Sequence, residues 1–307
     1  MQELDAEKNT AIRGTHLMIE TSEVQLLKVV AKSGATLLDN RASLGNEQLK
    51  RTIQTTGFEF RAVENDSSGL FEFLLPVAQE AALGFNPKAV IAATFSNEVR
   101  FPSLAVRIAS ALGLDKSTPA FDLQMACSAY PYAIYLASKL SRDLRGEVLV
   151  IDADLQSRFL DSSDLATSLV MDDAASATIV KTQDFGKSYF DFLSSYSTAL
   201  ECPSTGPIKM DGFKVFSFVA SDIVKFLRPL GSDFDLFIPH RANLYMVRQL
   251  AKSLSLEDKL VAAQSRFANQ GSASIPLTIA SSAVKGRALL AGFGAGFSAS
   301  CAVVTIL

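Results

Sequence analysis

Short apolar runs alternate with segments of helical periodicity along most of the chain. Residues 88–95 (KAVIAATF) make a strand-length run, and 102–114 (PSLAVRIASALGL) carry apolar residues at helical spacing. The pair 120–126 (AFDLQMA) and 127–140 (CSAYPYAIYLASKL) repeats strand then helix, and 147–154 (EVLVIDAD) returns to a strand. This alternation predicts βα units on a largely parallel sheet. The second half repeats the order. Residues 235–242 (DLFIPHRA) predict a strand, 243–256 (NLYMVRQLAKSLSL) a helix, and 267–286 (FANQGSASIPLTIASSAVKG) a turn running into a helix.

The uncharged stretch 288–307 (ALLAGFGAGFSASCAVVTIL) has the length of a membrane helix. Gly292, Gly294 and Gly296 interrupt its first half, so it reads as two buried strands around a glycine turn. Repetition on this scale predicts an internal duplication. Residues 1–183 form an N-terminal half and 184–307 a C-terminal half, joined around KTQDFGKS. The join has no Pro/Gly/Ser-rich linker, which predicts a tight interface between the halves.

Composition adds exclusions. Apolar residues make up 48% of the 307 and charged residues 20%, enough for a sizeable core. A formal net charge of −3 argues against nucleic acid or a polybasic membrane contact. The polar start MQELDAEKNTAIRG lacks the apolar core of a signal peptide, so a cytoplasmic location is expected. Cys127, Cys202 and Cys301 are odd in number and far apart, which is no disulfide framework. His16 and His240 are the only histidines, and no metal-ligand spacing or phosphate-cradling glycine loop occurs. No metal or cofactor is expected.

Three residues carry candidate chemistry. Cys127 ends an apolar run and opens a helix, where backbone N–H groups favour a thiolate and can hold an oxyanion. A lone cysteine is more often an inert buried thiol, and position alone leaves that reading ahead. His240 follows a strand, placed to project into a cleft, with a local turn contact as the even alternative. Asn269 precedes small residues, which by itself is ordinary turn chemistry. Together the three fall at strand ends and helix starts, where α/β folds gather their sites. Cys202, Cys301 and His16 have no such setting.

The segments FDLQMACSAYPYAIYLA, SSDLATSLVMDDAASATIV, MDGFKVFSFV, FIPHRANLYMV, FANQGSASIPLTI and AGFGAGFSAS occur in that order. By them the chain resembles the β-ketoacyl-ACP synthase III family of the thiolase superfamily. The resemblance implies a thiolase-like α/β fold, two duplicated βαβαβ-type halves forming a five-layered αβαβα core. It implies that Cys127 takes a primer acyl group as a thioester. His240 and Asn269 then hold the thioester carbonyl of a malonyl-type extender as CO2 leaves, and the enolate attacks the acyl-Cys. The Cys127 N–H and the backbone near Gly296 form the oxyanion hole. Phe216 lines the access tunnel, and Asn243 orients the histidine loop beside it. Lys214, Arg248 and Lys252 form part of a patch for an acyl carrier protein. A homodimer with the segment around Phe101–Pro102 near its interface is expected, with a heterodimer as the other option.

The chain departs from the family pattern in several places. It has no tryptophan to stack on a CoA adenine, and Leu165 stands where a partnering arginine is usual. Arg241 replaces the usual Gln, Ala268 the usual Gly, and Asp172–Asp173 the usual Asp-Gly. Ala295 sits within the glycine turn, and Tyr245 and Ser217 replace basic residues. These changes count against CoA loading and thin the carrier-protein patch. Two alternatives stay open: an acyltransferase to an alcohol or amine without decarboxylation, and a non-catalytic partner subunit.

Overall fold

Residues 18–43, 47–65, 67–261 and 267–307 are described, in a computed structural model; His16 and the polar N-terminal stretch lie outside them. Alternation within the strands decides how the layers form, because successive side chains point to opposite faces. In the strand Ala89–Ala93, Ala89 and Ile91 enter one buried cluster while Val90 and Ala92 enter another. In Val148–Leu155, Val148 and Val150 face the first cluster and Leu149 and Ile151 the second. In Gly286–Gly294, Ala288 and Leu290 again face the first cluster, while Leu289, Ala291 and Phe293 face a third.

These strands belong to two arrays. The first runs Val24–Ser33, Asp173–Thr182, Val148–Leu155, Ala89–Ala93, Ala120–Leu123, paired antiparallel, antiparallel, parallel, parallel. The second runs Ser188–Ser197, Gly296–Ile306, Gly286–Gly294, Leu236–Pro239, with Leu260 bridging to Phe237 in the final place. Its pairings follow the same sequence of directions. In chain order both arrays read first, fifth, fourth, second, third. Ile19–Thr21 adds to the outer edge of Ser188–Ser197, and the arrays join where Thr305 and Ile306 pair with Gln25 and Leu26. The expected largely parallel sheet is therefore a mixed one. In the second array the hairpin Gly286–Gly294 to Gly296–Ile306 turns at Ala295 alone, and so short a connection permits only antiparallel pairing.

Helices fill three layers. Leu70–Ala82 and Leu104–Ala111 cover the outer face of the first array. Ala129–Asp143 and Ser274–Ser282 lie between the arrays, where Tyr130, Ile134, Ile275 and Ile279 are buried against both. Gly212–Phe218, Val224–Leu227 and Leu244–Leu254 cover the outer face of the second. The result is the expected αβαβα stack. Each fully buried Val, Leu or Ile in the middle layer contributes roughly 1.5–3 kcal/mol relative to exposure. Residues 288–307 do form the hairpin, and among the described residues no helix is long and apolar enough to cross a membrane.

The boundaries shift where the backbone bends. The strand expected to reach residue 126 ends at Leu123, and the helix expected from residue 127 begins at Ala129. Between them Ala126 takes φ 44° and opens a short 3-10 turn, Ala126–Ser128. The helix Leu244–Leu254 ends two residues early because Ser255 turns left-handed at φ 57°.

Candidate active site

Cys127 is the middle residue of that turn. Ala126, in the left-handed region, costs on the order of 1–2 kcal/mol, and it bends the backbone out of the strand direction just before Cys127. Two hydroxyls hold the turn to the hairpin. Ser128 Oγ lies 2.8 Å from Ser298 Oγ, and Ser300 Oγ donates to the Ser128 carbonyl at 2.6 Å. Glycines allow the approach to be this close. A Cβ at Gly294 would lie 2.8 Å from Cys127 Cβ and 3.1 Å from its Sγ; one at Gly292 would lie 2.9 Å from the Cys127 carbonyl oxygen.

The helix start predicts a lowered thiol pKa, but the structure reverses the direction. Burial pushes the Cys127 thiol up to about 12, and the charge of Asp154 adds to the rise. The N–H groups of Cys127 and Ala295 pull the other way and do not prevail. The second N–H at the sulfur thus belongs to Ala295, one residue before the expected Gly296. Gly296, at φ 129°, lines a neighbouring cavity with Cys127.

His240 continues the ladder of the strand Leu236–Pro239, its N–H donating to the Ala291 carbonyl at 2.7 Å. The ring meets the edge of Phe293 at 5.6 Å. Burial pushes it down to about 3, with the Gly271 backbone opposing, so the imidazole is neutral at ordinary pH.

Asn269 bridges to Met171, with its N–H on the Val170 carbonyl at 2.9 Å and its carbonyl accepting the Asp172 N–H at 2.8 Å. Its Oδ1 accepts the Gly271 N–H at 2.9 Å. With the oxygen taken, the amide N–H2 is the end left to donate. Cys127, His240 and Asn269 line one cavity of about 1000 Å3.

The remaining predicted residues divide. Phe216 lines this cavity, stacked on Tyr245 at 6.0 Å, and so does Asn243. Asn243 Oδ1 caps the helix Leu244–Leu254 by accepting the Met246 N–H at 2.7 Å. Arg248 lines the cavity; Lys214 and Lys252 are exposed and do not. Leu165 and Tyr245 are exposed, and Ser217 spends its hydroxyl on the Phe213 carbonyl.

Sequence reasoning missed a second cavity of about 360 Å3 that also touches Cys127. Met125, Met171 and Ile208 line it, with Gln156, Glu201 and Cys202. No periodicity marks it, because its walls come from stretches scattered between Phe95 and Ser298. Also missed was Asp154, buried at the end of a central strand and accepting from Thr94 Oγ1, the Phe95 N–H and Ser272 Oγ at 2.8–3.0 Å. Burial raises it to about 6. Among the described residues no cluster of three or more His, Cys, Asp or Glu suits a metal.

Thus the arrangement places a thiol beside two backbone donors, a neutral imidazole and an amide with its N–H2 left to donate, all lining one cavity. Known proteins match along most of the chain. Residues 121–198 match the family model described as 3-oxoacyl-[acyl-carrier-protein (ACP)] synthase III, and residues 230–306 the model for its C-terminal part. The β-ketoacyl-[acyl-carrier-protein] synthase III of Lactobacillus delbrueckii subsp. bulgaricus is 30% identical over 319 residues, 90% of this chain and 98% of that protein. The crystal structure of a 3-oxoacyl-(acyl-carrier protein) synthase from Burkholderia xenovorans aligns with TM-score 0.87 at 23% identity, over 95% of this chain and 96% of that one. The priming β-ketosynthase of the R1128 polyketide pathway aligns with TM-score 0.84 at 25% identity, over 93% and 96%.

Proposed function

We propose, for a chain that belongs to the β-ketoacyl-[acyl-carrier-protein] synthase III family and is a condensing enzyme, a two-step reaction carried by Cys127, His240 and Asn269. The observation that carries this reading is their convergence on one cavity, with the N–H groups of Cys127 and Ala295 at the sulfur.

In the first step Cys127 Sγ attacks the carbonyl of an acyl thioester. The new S–C bond forms, the donor's C–S bond breaks, and the thiol proton leaves with the departing thiol. The raised thiol pKa makes that proton transfer part of the step, with neutral His240 as its relay. The two N–H groups hold the oxyanion.

In the second step a malonyl-type thioester enters. His240 and the Asn269 amide donate to its carbonyl oxygen, the bond to the carboxylate breaks, and CO2 leaves its electron pair on the enolate. The enolate carbon attacks the acyl carbonyl, a C–C bond forms, and the Cys127 thiolate leaves and regains a proton. The product is a 3-oxoacyl thioester, as in fatty-acid biosynthesis. Two N–H donors suffice to hold an enolate.

An acyl carrier protein is the donor this reading favours. Leu165 and Tyr245, where the family carries groups for CoA or carrier contacts, support no adenine clamp, while Arg248 lines the passage and Lys252 lies one turn along the same helix. The chain divides near residue 183 into its two halves. Two copies pair through the edge strand Ala120–Leu123, where Phe101 is 86% exposed and Val99, Val106 and Phe121 are exposed around it. Non-decarboxylating transfer and a purely structural role are not favoured, since neither uses the aimed Asn269 amide.

Intact-mass analysis with acyl-CoA and acyl-carrier donors, followed by malonyl-carrier protein, tests the reading. Expected are an acyl adduct on Cys127 from the carrier donor and its loss with CO2 release. No adduct from either donor overturns it.

A further inference from the structure

The chemistry assigned to Asn269 requires its amide to be held still, and the residues around it show what holds it. Its main chain is bound on both sides, to the Val170 carbonyl and the Asp172 N–H. The Asp172 side chain then reaches past it in three directions. Oδ2 accepts the Ala268 N–H at 2.6 Å and Gln270 Nε2 at 2.7 Å, so it grips the residues immediately before and after Asn269. Oδ1 accepts the Ala62 N–H at 2.6 Å from a separate strand, Phe60–Val63. Gln156 Nε2 completes the frame, donating to the carbonyls of Asp172 at 2.7 Å and Asn269 at 2.8 Å.

We infer that Asp172 is a positioning residue for the decarboxylation step, its carboxylate tying the Ala268 backbone before Asn269 and the Gln270 side chain after it so that the Asn269 amide donates into the cavity. The inference rests on the role proposed for Asn269.

Only a carboxylate meets the demand, because three buried donors converge on its two oxygens and a hydroxyl or amide would turn a hydrogen toward donors with no acceptor to receive it. Asp172 is fully buried. Burial raises it to about 7, and the attraction of Arg241, the residue after His240, works to keep it charged. The neighbouring carboxylate is a natural control. Asp173 accepts from the Ser157 N–H and Oγ and from the Glu64 N–H, and makes no bond to the Asn269 turn.

The test separates the two half-reactions in the full chain. Acyl loading of Cys127 is followed by intact mass, and CO2 release from malonyl-carrier protein is followed on the loaded enzyme. In Asp172→Asn, one amide hydrogen faces donors that need an acceptor. Loading should stay within about twofold of the parent while the kcat for CO2 release falls about 10–100-fold, with the extender KM within a few-fold. Asp173→Asn should leave the ratio of the two rates unchanged.

Equal loss in both steps for Asp172→Asn, or loss in neither, overturns the inference. If that variant does not fold, Gln270→Met removes a single donor to the same oxygen. It should shift the same ratio in the same direction by a few-fold, and an unchanged ratio overturns the inference equally. A parent enzyme that loads no acyl group or releases no CO2 sinks the proposed reaction itself, which is a different outcome.

Discussion

The turn that carries Cys127 and the turn that follows Asn269 occupy equivalent places in the two arrays. Each is a three-residue 3-10 turn, Ala126–Ser128 and Gly271–Ala273, running straight into a central helix. Each opens on a left-handed residue, Ala126 at φ 44° and Gly271 at φ 57°. They diverge at the second position. Cys127 reaches both cavities, whereas Ser272 Oγ turns inward and donates to buried Asp154 at 2.8 Å. In the second turn the group facing the passage stands earlier, at Asn269. One backbone frame therefore serves two chemistries, and the side chain's nearest acceptor decides which residue is presented and which is retained.

Substitutions at the matched positions probe this difference most sharply. Cys127→Ala should abolish the acyl adduct and lower condensation by about 10^3-fold or more, measured as 3-oxoacyl product. Ser272→Ala should still load and should cost roughly 1 kcal/mol, read as a lowered Tm. Loading that fails equally in both would erase the distinction. Next, Asn269→Ala should retain the adduct while CO2 release falls about 10^2–10^3-fold, the magnitude of one lost oxyanion donor.

The third effect is on pH. The folded pKa of His240 is depressed to about 3, so between about 6.5 and 3 the unfolded chain binds a proton that the folded chain refuses. Its contribution is fully present above the unfolded value and is lost as pH falls, by about 2 kcal/mol at pH 5. The Tm drop from pH 7 to pH 5 should be smaller in His240→Gln than in the parent. A drop of the same size in both refutes a buried neutral imidazole.

Gly294→Ala comes fourth. Its methyl would press on Cys127 Cβ at 2.8 Å against a strand that cannot retreat, costing about 1–3 kcal/mol and slowing loading about tenfold. Smallest is the pair of left-handed residues. Ala126→Gly should change stability by under about 1 kcal/mol, since relief of strain and added chain entropy oppose each other. Gly271→Ala should cost about 1–2 kcal/mol, because its φ and contacts of 3.2 Å to Asp154 and Gln156 both resist a methyl group. A larger cost at 126 than at 271 would reverse the comparison.

Much of this was legible in the chain. Strand and helix positions follow from periodicity, and the hairpin from the glycines within 288–307, because these are local signals. Cys127, His240 and Asn269 were legible as candidates through their places at strand ends. What escaped depends on segments far apart in sequence. The direction of the Cys127 pKa turns on burial, which no helix start reveals. The second donor at the sulfur is Ala295 because of how the hairpin meets the Cys127 turn. Asp172 stands where the usual turn also has Asp, which in sequence marks it as turn chemistry alone, and only its bonds to Ala62, Ala268 and Gln270 reveal how many segments meet on it. The antiparallel pairing of Gly286–Gly294 with Gly296–Ile306 likewise comes from the length of its connection, not from the apolar pattern.

The cysteine sulfur stands where two cavities meet, and this has a kinetic reading. In the proposed reaction, a chain fixed to Cys127 would have a side chamber of about 360 Å3 available, apart from the larger passage. Stored there, the first passenger would leave the corridor clear for the second, and the two would not have to exchange places between the proposed half-reactions. Chamber size then becomes a sorting device that acts after capture. A cargo too long for the alcove stays in the corridor and stalls its own extension, so selectivity would be read in the lifetime of the loaded enzyme more than in how fast it loads.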